Sequence, residues 1–162
     1  MKIKPQYAVA ISIIIVAIGI LSSWMVGWWQ TESDKTPPRL ANSGKTNVEG
    51  SYDPAGIKGS FTFGEISRLF GIPLKDLADA FTVEETNAEA FKVKELETIF
   101  PDKDSEVRTS SVRLFTAWYK GLPYEMKEES FLPGPAVAIL QEKAILDQMQ
   151  QSYLDTHTYK VE

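Results

Sequence analysis

The sequence predicts a mainly α-helical protein: a single N-terminal transmembrane helix, a flexible linker, and a small bundle of short helices closed by a C-terminal amphipathic helix. Three observations lead there. An apolar run without charge extends from Tyr7 to Trp29. The next segment is rich in Pro, Ser, Thr, Gly and Asn and has no apolar period. Beyond it, apolar residues recur at three- and four-residue spacing between capping and stop signals. The expected organisation is a stub and anchor over 1–29, a linker over 30–58, a helical domain over 59–155 and a polar tail over 156–162.

The apolar run covers about 34 Å as a helix, slightly more than a hydrocarbon core of about 30 Å, so it spans with a small tilt. A cleavable signal peptide has a shorter apolar region and a small-residue exit, whereas Trp24, Trp28 and Trp29 form an aromatic belt suited to the membrane interface. The chain has no cysteine to acylate. Lys2 and Lys4 precede the run and Glu32 and Asp34 come after it, which places the N-terminus in the cytoplasm and the domain on the other side of a cell membrane. Gly19, Ser23 and Gly27 lie at spacing four on one stripe, where another helix backbone can approach. With no ionisable side chain in the run, transport or proton relay by this helix alone is disfavoured.

Of 17 Lys+Arg, Lys2 and Lys4 fall before Gln30, while all 22 Asp+Glu fall after it. The part beyond the anchor is therefore acidic, and a nucleic-acid partner is not expected. Gln30 to Lys58, with Pro37-Pro38, reads as a tether that cannot bury enough surface to offset its ordering entropy. Order returns over the stretch from Ser51 to Ile66, in which Thr62 and Glu65 make a capping box for a short helix with Phe63, Ile66, Leu69 and Phe70 as its apolar face and Gly71 as stop. Ile72-Pro73 opens a second helix with Leu74, Leu77, Ala78 and Phe81 at helical spacing.

Thr82 and Glu85 repeat the capping-box spacing. Phe91, Val93, Leu96, Ile99 and Phe100 are core candidates in a short helix ended by Pro101. From about Asp104 to Lys120, Val107, Ser111, Leu114, Phe115 and Trp118 line one face, and Gly121 and Pro123 stop the helix. Pro123, Pro133 and Pro135 turn the chain into a last helix from Ala136 to about Tyr153, with Val137, Leu140, Ala144, Ile145 and Met149 as a stripe packed on the domain. From Asp155 the tail is expected to fray.

No catalytic or cofactor signature emerges. His157 is the lone histidine and lies in the expected tail, so familiar zinc, haem and iron–sulfur ligand sets are incomplete and no cofactor is expected. Asp102, Asp104 and Glu106 open like a calcium loop, but Val107 stands where the turn needs glycine and Arg113 where a bidentate glutamate belongs. These acids instead suit the start of the next helix. Glu125, Glu128 and Glu129 read as a solvated run. The Gly-Ile-Pro junction suggests a membrane-tethered helix-turn-helix DNA binder as an alternative. Against it, the second helix is expected to expose Asp76 and Asp79 with Lys75 as its one base. An enzyme of unrecognised type is the other alternative.

The stretch from Ile57 to Phe81, with its Gly-Ser cap, Glu-Ile helix and Gly-Ile-Pro turn, resembles a small helical module found after the membrane helices of NapH-like ferredoxin-type proteins. The cysteine-rich ferredoxin part of that family is absent. The resemblance implies a docking or structural module near a membrane redox complex and transfers no catalytic residue. The expected function is therefore non-enzymatic: an accessory or assembly subunit acting by contact with membrane-protein partner subunits and the lipid bilayer. Phe115 and Trp118 share the buried stripe, while Tyr119 and Tyr124 flank it as candidate partner surface.

Overall fold

The capping box read at Thr62 is present in full: the Thr62 hydroxyl accepts from the Glu65 N–H at 3.1 Å and the Glu65 carboxylate accepts from the Thr62 N–H at 2.8 Å. It starts helix α1, Phe63–Phe70, which buries Phe63, Ile66 and Phe70. The computed structural model describes residues 36–40, 50–101, 106–125 and 129–159. The expected anchor, with Gly19, Ser23, Gly27, Trp24, Trp28 and Trp29, lies outside them, as do Asp102, Asp104 and Glu128. Among the described residues, no helix is long and apolar enough to cross a membrane.

The fold of the described residues is mainly helical. After α1 come α2 (Leu74–Ala80), α3 (Glu85–Ala88), α4 (Leu96–Ile99), α5 (Thr109–Tyr119), α6 (Gly134–Lys143) and α7 (Gln148–Thr156). Two short strands, β1 (Leu132–Pro133) before α6 and β2 (Thr158–Tyr159) after α7, pair in parallel with Leu132 opposite Thr158. Helix α2 is the hub, packing on α1, α3 and α6, while α5 packs on α6 and on the turn Pro54–Gly56. Through the core runs a chain of rings: Phe91 to Phe63 at 5.2 Å, Phe63 to Phe81 at 5.7 Å, Phe81 to Phe115 at 5.6 Å and Phe115 to Tyr119 at 5.7 Å. Tilted and edge-on contacts of this kind add to the area that the rings bury.

Helix α5 is shorter than its sequence stripe suggests. Arg108 is extended and its N–H donates to the Ser111 hydroxyl at 3.1 Å, so the helix begins at Thr109. Glu106 consequently sits outside the first turn, paired with Arg108 at 2.6 Å. The expected face is nonetheless buried: Val107, Ser111, Leu114, Phe115 and Trp118. Of the core candidates around α4, Val93, Leu96 and Phe100 are buried, Phe91 is half-buried, and Ile99 faces outward.

Residues expected in the linker belong to the folded unit, which begins at Thr36. Pro37 is buried, and a Cβ at Gly56 would stand 2.7 Å from Pro38 Cδ and 2.8 Å from Pro37 Cβ, so the missing side chain lets the two prolines pack. Arg39 lies over the Tyr52 ring, 4.5 Å from its centroid, and also donates to the Gly50 carbonyl. Arg113 ties the same turn to α5 by donating to the Ile57 carbonyl at 2.7 Å. Composition does not reveal these contacts because each joins residues distant in sequence.

Three local expectations are corrected. Thr82 does not start a helix. It ends α2, with φ +54, its N–H donating to Asp79 at 3.4 Å while the Val83 N–H returns to Ala78 at 2.9 Å. This is the Schellman closure that Gly121 makes after α5, but with a β-branched residue in the left-handed position. The expected single helix from Ala136 to Tyr153 is instead two. Ala144 is extended, and Asp147 and Gln150 form a second reciprocal box at 2.8 and 2.9 Å that starts α7. Past α7 the chain joins β2, where Tyr159 meets Phe100 edge-on at 5.2 Å, so residues 156–159 close the domain instead of fraying.

Thr82 is exposed and its side chain serves only a local bond to the Phe81 carbonyl. Thr82→Gly should therefore stabilise the protein by about 0.5–1 kcal/mol, read as a higher midpoint in urea unfolding followed by circular dichroism. A lower midpoint would show that the left-handed threonine is not strained.

Candidate functional site

Asp76 lies in the first turn of α2, where Leu77, Ala78 and Ala80 are buried beside it. It is itself only 7% exposed. Such a carboxylate must be neutralised or paired. Lys143, the last residue of α6, places Nζ at 2.7 and 2.8 Å from its two oxygens, and the Tyr119 hydroxyl donates to it at 2.5 Å. Burial pushes the Asp76 carboxyl up, but the Lys143 and Tyr119 bonds outweigh it and hold it below the usual range. Burial, and after it the bond to Asp76, pushes the Tyr119 phenol up to about 12. At neutral pH the set is a paired carboxylate, a charged amine and a protonated phenol. It ties three helices together and presents no unpaired base.

The tie lies at the very end of α6. One residue after Lys143 the backbone leaves the helix, and Ile145 is 100% exposed. Met149, in the first turn of α7, is 80% exposed. Ile145 and Leu146 border a shallow depression with Gln141, Gln151 and Asp155. Both ends of this step are fixed, one by the Asp76–Lys143 pair and the other by the Asp147–Gln150 box. Helix α7 is held below by buried Leu154 and by Tyr153, whose hydroxyl donates to the Ser130 carbonyl at 3.2 Å while its ring meets Trp118 edge-on. Two large apolar side chains thus stand in solvent between a bonded helix end and a bonded helix start.

His157 caps α7 with its ring stacked on Tyr153 and Nε2 2.9 Å from Glu129. The stack and the pair give this lone histidine a packing role at the β1–β2 junction. Among the described residues, no group of three or more His, Cys, Asp or Glu is arranged to hold a metal ion.

The sequence-predicted partner residues separate. Tyr119 is half-buried with its hydroxyl on Asp76, so its polar end is engaged inside the bundle. Tyr124 is half-buried at a different surface, beside Leu40, Asp53 and Pro123. Asp76, expected to be exposed, is buried because a seven-residue helix packed on three neighbours leaves only its Lys75–Asp79 edge to solvent. Ile145 and Met149, expected in the core because their spacing continues the stripe of α6, stand in solvent instead. The Asp147-x-x-Gln150 signature is the sequence signal for the break between the two helices. Comparison with protein-family models, curated proteins and solved structures finds no match to this chain.

Lys143→Met removes the cation and should cost about 1–3 kcal/mol at pH 7, below the about 3–5 kcal/mol of a fully buried broken pair because Lys143 is partly solvated. The native carboxyl titrates below the ordinary value of 3.8, so its stabilisation is present above that value and is lost as pH falls through the depressed one. In the variant the Lys143 bond and charge are gone while the Tyr119 bond and Lys75 still act against burial, so the depression of the carboxyl shrinks and the stabilisation that goes with it shrinks too. The wild-type advantage in urea unfolding should therefore be largest near neutrality and close below about pH 4. A difference independent of pH would show that the pair is not the source.

Proposed function

We propose that this chain is a membrane-anchored accessory or assembly subunit that works by protein–protein contact, with the step at Ile145 and Met149 as its contact surface. The observation that carries the reading is the full exposure of Ile145 on a backbone fixed at both ends. Large apolar side chains standing in water cost free energy unless a partner covers them, and a pinned display lowers the ordering entropy of binding. The Tyr7–Trp29 run supports the anchor, and the resemblance of Ile57–Phe81 to the NapH-like module supports a place beside a membrane redox complex. The helix-turn-helix alternative is weakened by α2, whose outward Lys75 is paired with Asp79 at 3.0 Å and whose length is seven residues.

The test is the full chain, expressed at native level, with Ile145→Ser and Met149→Ser combined. Both positions are exposed, so stability should change by no more than about 0.5 kcal/mol for each substitution. Wild type should resist alkaline carbonate extraction from membranes and co-purify in fixed ratio with integral membrane subunits after gentle solubilisation. The double variant should stay in the membrane and lose those subunits. Release of the wild type by carbonate would overturn the anchor, and unchanged co-purification of the variant would overturn the contact surface.

A further inference from the structure

Resting on the reading of the Ile145 step as a contact surface, we propose that its partner is a protein presenting an apolar pocket bordered by lysine or arginine side chains. In shape, Ile145 is a knob. It is 100% exposed, one residue beyond the end of α6, so a flat or convex partner would leave most of it in water. A pocket that receives it removes the most apolar area.

The rim around the knob carries the charge. Between Gln141 and Thr156 the acids are Glu142, Asp147 and Asp155, all exposed, and Asp155 borders the same depression as Ile145. Lys143 is the one base of that stretch, and its ammonium is committed to both Asp76 oxygens. Of these acids Asp155 is the one that borders the depression, Glu142 and Asp147 are its neighbours in sequence, and no basic residue lines it, so the complementary rim is basic. A second copy docking through the same patch would bring two acidic rims together, and an anionic lipid surface would meet the same repulsion. The Asp147 carboxylate also caps α7, so Glu142 and Asp155 are the acids that can be reversed without disturbing a cap. Asp155 lies in the last turn of α7, where a positive charge suits the helix end.

The chain has no cysteine, so Gln141→Cys, on the edge of the same depression, supplies a sole thiol that can carry a benzophenone maleimide with Ile145 left intact, in the full chain in its native membranes. On irradiation the expected result is an adduct with a protein, mapped by mass spectrometry to apolar residues adjacent to lysine or arginine. Adding Glu142→Lys and Asp155→Lys should lower the adduct yield by about fivefold or more, and raising salt to about 0.5 M should lower it in the unreversed protein. A protein adduct with unchanged yield after charge reversal would overturn the basic rim and leave the contact surface standing. Adducts to a second copy of this chain or to lipid would overturn the partner class. No adduct at all would overturn both the partner and the surface.

Discussion

The buried carboxylate of Asp76 is the constraint around which this domain is organised. Helix α2 is too short to turn one of its few residues away without losing its packing on α1, α3 or α6, so the charge stays inside and its neighbours answer it. Tyr119 brings the end of α5 to it, and Lys143 brings the end of α6. Replacing such a set by apolar residues of similar volume is often neutral, so its value lies in register more than in net stability. A cation at one particular turn of α6 fixes where that helix sits against α2, and the aromatic chain from Phe91 to Tyr119 delivers α5 to the same point.

Fixing α6 also fixes the surface. The chain leaves the helix at Ala144 and re-enters one at Gln148, with a bonded cap on the far side and Leu154 as ballast in the core. Between these supports lie only Ala144 to Asp147, and Ile145 stands outward. A buried electrostatic tie, a helix break and an exposed apolar side chain are thus consecutive consequences of one short stretch of sequence.

What can be read from the sequence is what is encoded locally. The box at Thr62 and Glu65, the stop at Gly71 and the buried stripe of α5 each depend on residues within one or two helical turns. What escapes is set by partners far along the chain. Asp76 looks like a solvated acid because its cation lies 67 residues away. Pro37 and Pro38 look like tether because Gly56, which makes room for them, lies many residues further along the same polar stretch and leaves no local pattern. Thr82 misleads for a different reason: the bonds that end α2 demand a left-handed residue, and a threonine supplies it where glycine is the usual signal. Ile145 and Met149 keep the period of α6 across a break, and spacing alone does not separate a continuing stripe from two helices.

Amide hydrogen exchange of the full chain in detergent, wild type against Asp76→Asn, tests most directly whether the Asp76–Lys143 pair holds the end of α6 and, through it, the exposed step. Loss of the pair should give faster exchange at the Ala144 amide, which donates to Leu140 at 2.9 Å, and across the last turn of α6, with the amides of α1 unchanged. Equal exchange at Ala144 in the two proteins would contradict that role and would leave the step supported by the α7 cap alone.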